Sequence, residues 1–167
     1  MRRFYSFIIS SVVVGMLFSF MSFDATSSSK LLVGQKFPST EKLGACDEKL
    51  VLVNFWAAYD AESRDENIRF SSIVEKYEGK MTAEGRRLRA ISVSMDRFEK
   101  VFEEVIKQDG LRFSEISLET EGFHSKLAKD LKLNNRFGNF LIDDQGRILA
   151  KDFTPDELKQ MLDRYLN

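Results

Sequence analysis

The stretch Val51-Leu52-Val53-Asn54-Phe55-Trp56-Ala57-Ala58-Tyr59-Asp60-Ala61-Glu62-Ser63-Arg64 decides how this chain is read. Its first six residues are almost continuously apolar, the pattern of a central strand covered on both faces. The polar, acidic residues that follow open a helix, because Phe70, Ile73, Val74 and Tyr77 recur at i, i+3, i+4 and i+7 and mark one apolar face. Asp60 and Ser63 stand at that helix start with Glu62, Asp65 and Glu66 beside them. Acidic groups there satisfy free N–H groups and complement the helix dipole, and Ser63-Arg64-Asp65-Glu66 has the spacing of a capping box. The alternative is a carboxylate pair for acid–base work or metal binding, but neither a His nor a Cys stands nearby in sequence.

Working outward, Ala90-Ile91-Ser92-Val93-Ser94-Met95 alternates like a strand. Asp96 then opens a second helix, with Glu99 completing a capping-box pattern and Phe98, Val101, Phe102, Val105 and Ile106 forming its stripe. Gly110 ends that helix. A shorter helix carries Phe123, Leu127, Ala128 and Leu131, beginning beside the only histidine, His124, which reads as a surface residue. Phe140-Leu141-Ile142 and Arg147-Ile148-Leu149-Ala150 flank Asp143-Asp144-Gln145-Gly146, a hairpin with Gly146 at positive φ. In the last helix Thr154 caps, Pro155 takes the first position and Glu157 closes a capping box. Phe153 and Leu158 form its hydrophobic staple, and Leu158, Met161, Leu162 and Tyr165 face the core. The order implies an α/β fold with a mixed central sheet and helices on both faces.

Residues 1–29 read as a signal peptide or N-terminal membrane anchor plus linker, and residues 30–167 as one domain. Arg2 and Arg3 precede an uncharged stretch from Phe4 to Phe23, roughly the 20 residues a helix needs to cross a bilayer. Ala25-Thr26-Ser27 offers a small-residue cleavage site. Cleaved or not, the segment puts the domain outside the cytoplasm, in the periplasm or on the outer face of the inner membrane. Lys and Arg total 25 against 26 Asp and Glu, a net charge of −1, which argues against a nucleic-acid partner. The single cysteine, Cys46, excludes an intramolecular disulfide.

The stretch 51–64 closely resembles VLVNFWATWCPPCR of the exported TlpA/ResA-type thioredoxins, which grade into the AhpC/TSA thiol-specific antioxidant families. Val33-Gly34-Gln35-Lys36-Phe37-Pro38 resembles that family's opening VGxxxP, and Ile91-Ser92-Val93-Ser94-Met95-Asp96 its second strand. Phe140-Leu141-Ile142-Asp143 with Gly146-Arg147-Ile148 resembles its hairpin. The likeness runs from about residue 33 to 165 and implies a thioredoxin-like fold. By the same resemblance, the two redox cysteines fall on Asp60 and Ser63, and the family's cis-proline falls on Phe137. A carboxylate cannot form the mixed disulfide and a hydroxyl cannot resolve it. A cis bond before a non-proline residue costs about 2.5–4 kcal/mol, so the Arg136–Phe137 bond is expected to be trans.

Loss of these elements leaves no catalytic residue at the former site and implies no cofactor or metal. The favoured reading is a redox-inactive binding or scaffold module using Trp56, Tyr59 and Phe137 against another protein or an extended peptide segment, with membrane contact only through the N-terminal segment. One rival is a thiol-dependent antioxidant protein acting through Cys46, favoured if that thiol is exposed near Lys42 or Lys49. Another is chaperone-like capture of extended segments. Cys46 otherwise reads as a small, partly buried apolar residue.

Overall fold

A computed structural model describes residues 31–38 and 49–166. The apolar run forms β1 (Lys49–Trp56), which sits at the centre of a five-stranded sheet. It pairs in parallel with β2 (Arg87–Ser94) and antiparallel with β4 (Asn139–Ile142). Beyond β2 lies β3 (Glu115–Leu118), parallel to it, and beyond β4 lies β5 (Ile148–Lys151), antiparallel, giving the order β3-β2-β1-β4-β5. Side-chain alternation divides the β1 residues between two cores. Val51, Val53 and Phe55 join Ile91, Val93, Phe140 and Ile142 on one face. Leu50 and Leu52 join Ala90 and Leu141 on the other.

Two helices cover the second face. From α1 (Ala61–Tyr77), the predicted stripe Phe70, Ile73, Val74 and Tyr77 is buried, and Leu158 and Leu162 arrive from α4 (Pro155–Tyr165). The first face is covered by Phe37 and by the short α3 (Lys126–Asp130) with its following turn, through Leu127, Ala128, Leu131 and Leu133. The opening segment is stitched to the hairpin, since Gly34 N–H donates to the Ile148 carbonyl at 2.8 Å and Ile148 N–H to Gln35 at 2.9 Å. Gly146 turns that hairpin at φ +74°, as expected, helped by the buried Asp143 carboxyl, which accepts from the N–H groups of Gln145 and Arg147.

Some sequence expectations change. The short helix is interrupted: Gly122–His124 forms a 3-10 turn, and α3 begins only at Lys126 behind the capping side chain of Ser125. His124 is exposed. β3 escaped the pattern reading because four residues, one exposed and three half-buried, carry too little periodicity. α2 (Glu99–Asp109) starts three residues after Asp96, and Phe98 takes the N-cap position without a side-chain bond. Being extended rather than helical, Phe98 leaves the stripe and is 72% exposed. Val101 is exposed too, so Val105 alone on this helix is fully buried. Tyr165 points outward, and Leu166, one residue later, enters the core in its place.

The capping box of α4 forms as expected: Thr154 Oγ1 accepts from Glu157 N–H, and the Glu157 carboxylate accepts from Thr154 N–H at 2.7 Å. That backbone bond, then the Thr154 hydroxyl, holds the Glu157 carboxyl below the usual glutamate range. A depressed folded value contributes stability above the unfolded pKa, which is lost as pH falls through the folded one. Thr154→Ala, which removes the N-cap acceptor, is expected to cost about 1 kcal/mol at pH 7 in urea unfolding. Glu157→Gln should flatten the acid limb of the stability profile, and an unchanged limb would show the box to be idle.

Candidate functional site

The site is built where β1 hands over to α1. After Trp56 the chain turns, Asp60 N–H donating to the Ala57 carbonyl at 3.2 Å. Asp60 adopts an extended conformation as N-cap, and its carboxyl accepts from Ser63 N–H at 2.8 Å. Ser63 is buried in the first turn, where its Oγ accepts from Ala57 N–H at 3.3 Å and donates to the Asp60 carbonyl at 3.2 Å. The cap is thus Asp60, and the box expected at Ser63 does not form, because the helix has already begun at Ala61. Both residues are committed to holding the helix start.

Asp96 has a part that its local sequence conceals. It is 3% exposed, and its Oδ2 accepts from Ala58 N–H at 2.9 Å and from the Ser94 hydroxyl at 2.7 Å. Rather than capping α2, it fastens the β1–α1 loop to the end of β2. Its partner lies 38 residues away, so no spacing rule finds it.

On this loop stands Tyr59, 67% exposed. Its ring lies 6.1 Å from that of Phe137, which packs 5.1 Å from Phe123. Desolvation first, then the charges of Asp96 and Asp60, push its phenol above the usual tyrosine range, so it offers a hydrogen-bond donor and not a phenolate nucleophile. Trp56, grouped by sequence with this face, is fully buried beneath the loop, with its indole N–H unpartnered among the described residues. The surface aromatics are Tyr59 and the half-buried Phe137 and Phe123. The Arg136–Phe137 peptide is trans, as expected, and the loop before it is rebuilt by left-handed Asn134 and Asn135.

The acidic side of the helix start continues to Glu66. Desolvation, followed by repulsion from Glu62, Asp65 and Asp60 against attraction from Arg69, raises its carboxyl above the usual range. Among the described residues no three His, Cys, Asp or Glu side chains gather as a metal site. Cys46, Lys42 and the whole segment 1–29 lie outside the described residues. Within those residues no helix is long and apolar enough to cross a membrane.

A thioredoxin-like protein from Parabacteroides distasonis is 39% identical to this chain, over 69% of it and 80% of the other, with a TM-score of 0.61. The chain belongs to the thioredoxin-like family. The thioredoxin domain of a thiol-disulfide oxidoreductase from Bacteroides vulgatus shares the fold at 20% identity, covering 83% of this chain and all of that one with a TM-score of 0.67. StoA from Bacillus subtilis shares it at 20% identity over 68% and 82% of the two chains, with a TM-score of 0.55. No family model and no curated protein matches the chain. This thioredoxin-like chain carries its family's strand, loop and helix start, but its one thiol is elsewhere, at Cys46.

Proposed function

We propose that this thioredoxin-like chain is a redox-inactive module of the cell envelope, in which the remodelled helix-start face receives another protein or an extended peptide segment. The observation that carries this reading is that Ser63 donates both its N–H and its hydroxyl to Asp60 where a dithiol would stand. Beside that cap, Tyr59 and Phe137 offer aromatic surface with a polar tip, a composition that favours protein contact. The uncharged N-terminal stretch behind two arginines supports export.

The test has two arms. Insulin reduction by dithiothreitol is expected to proceed at background rate with the wild-type chain. A rate above background that Cys46→Ala abolishes would reinstate the antioxidant reading. For the face itself, a photo-crosslinking residue in place of Tyr59 is expected to trap a discrete partner in the envelope of living cells. Binding of that partner should weaken by on the order of 2 kcal/mol in Tyr59→Ala and in Phe137→Ala. Undiminished binding in both variants would remove the aromatic face from the proposal.

A further inference from the structure

A cleft of about 380 Å³ opens beside the rebuilt loop. Of the three packed rings only Phe137 reaches its wall. Its accessible apolar surface is that of the half-buried Leu31 and Phe137, over a floor of the core residues Leu131, Leu133, Phe140 and Phe153. Its rim carries Lys132, Arg136 and Lys151, against Glu66 and Asp152. The volume lies at the lower end of the range that small ligands fill.

The walls are held in place. Asn139 Nδ2 donates to the Phe153 carbonyl at 2.8 Å while its Oδ1 accepts from Phe153 N–H at 2.9 Å, and Asp152 N–H donates to the Asn139 carbonyl at 3.0 Å. A Cβ on Gly138 would meet Asp152 Oδ1 at 3.0 Å, a tight contact with the movable end of an exposed side chain. Among the described residues, the non-glycine residues at positive φ are Lys132, Asn134, Asn135 and Asp152, at 54°, 48°, 58° and 51°. Three of them line the cleft, and Asn135 stands between two lining residues. Such disfavoured conformations cluster at ligand sites.

The charges at the rim are not equivalent. Lys151 Nζ lies 3.4 Å from the Asp152 carboxylate, so these two largely answer each other. Arg136 is exposed, and its guanidinium makes no hydrogen bond or ion pair among the described residues. Glu66 lines the same cleft from α1, so its carboxyl opposes an anion bound there. An unpaired guanidinium beside a leucine and phenylalanine wall suits a group that is anionic at one end and apolar along its length. A planar carboxylate matches the guanidinium fork with two parallel bonds.

We propose that this cleft binds a carboxylate carried on an apolar chain, with Arg136 taking the carboxylate and the half-buried Leu31 and Phe137 taking the chain. The same chemistry is presented by a free aliphatic acid and by the C-terminus of a peptide ending in an apolar residue. The site does not depend on the Tyr59 face binding a protein, because its anchor belongs to neither the cap nor the exposed ring.

The experiment titrates the ¹⁵N-labelled full-length chain with hexanoate and hexanamide. In parallel it uses a tripeptide ending in leucine, as free acid and as amide. At least one acid is expected to give saturable shifts at the amides of Lys132, Arg136, Gly138 and Asp152, with its amide binding about tenfold more weakly or worse. Saturation by hexanoate alone identifies a free acid as the source, and by the peptide acid alone a chain terminus. Arg136→Gln, at an exposed position, is expected to lower acid binding to the level of the amide while the rest of the spectrum stays native. Glu66→Gln should tighten it by removing an opposing charge. The proposal is overturned if neither acid saturates, if each amide binds as tightly as its acid, or if Arg136→Gln binds the acids as well as wild type does.

Discussion

The Asp60→Cys/Ser63→Cys variant is expected to close an internal disulfide readily yet to remain a poor reductant of protein disulfides. Position 63 lies directly over the cap, its N–H 2.8 Å from Asp60 Oδ1, so two sulfurs placed there fall within bridging range. A thiol at the N-cap position is acidified by the helix N-terminus. What the double substitution leaves intact is Phe137, packed at a tilt between Tyr59 and Phe123. By the resemblance to the exported thioredoxins, a substrate strand would lie along that loop, and the ring is expected to obstruct it. Adding Phe137→Pro should therefore raise the rate of insulin reduction roughly tenfold, equivalent to about 1.4 kcal/mol of barrier. The redox potential should move by less than about 30 mV, since the sulfurs' own surroundings change little. Rates with dithiothreitol and potentials in glutathione buffer measure both. Full activity in the double variant would show that the ring was never an obstacle and would weaken the case for a rebuilt binding face.

Asp96→Ala is expected to be the most damaging single change near the site. It leaves the buried Ser94 hydroxyl and the Ala58 N–H without their acceptor. Hydrogen bonds to a charged group contribute about 1.5–3 kcal/mol each, so a loss of about 3 kcal/mol or more should appear in urea unfolding at pH 7. Asp96→Asn keeps one carbonyl acceptor and should lose less than half as much. The same change frees the β1–α1 loop from β2, and the amide shifts of Ala58 and Tyr59 should report it. A loss under about 1 kcal/mol for the alanine variant would mean that water replaces the carboxyl at no cost and that the loop is held by the cap alone.

Much of this fold was legible because the signals are local. The continuous apolar run of β1, the α1 stripe, the Gly146 hairpin and the Thr154–Glu157 box each lie within a dozen residues, and each appears where expected. Asp60 as the cap was legible in the same way. Errors arose where a local pattern had two physical uses. Asp96 and Glu99 have capping-box spacing, but an extended Phe98 separates them from a cap, and the carboxyl gains more from Ala58 and Ser94 than from α2. Trp56 has the polar tip of a binding aromatic, but it ends a strand covered on both faces and is fully buried.

By itself the sequence determined the family's architecture, the export segment as an expectation, and the absence of a dithiol, since a chain with one cysteine cannot close a disulfide within itself. Only the tertiary structure decided which groups share the helix-start face and the cleft. Ala58 meets Asp96 across 38 positions, and Glu66 comes to line one cleft with Arg136 and Lys151, because parallel pairing of β1 with β2 and antiparallel pairing with β4 fold distant loops to one end of the sheet. Periodicity reports which way a side chain points along its own element. Which element it then meets is set by the sheet order, a long-range pairing that carries no local mark.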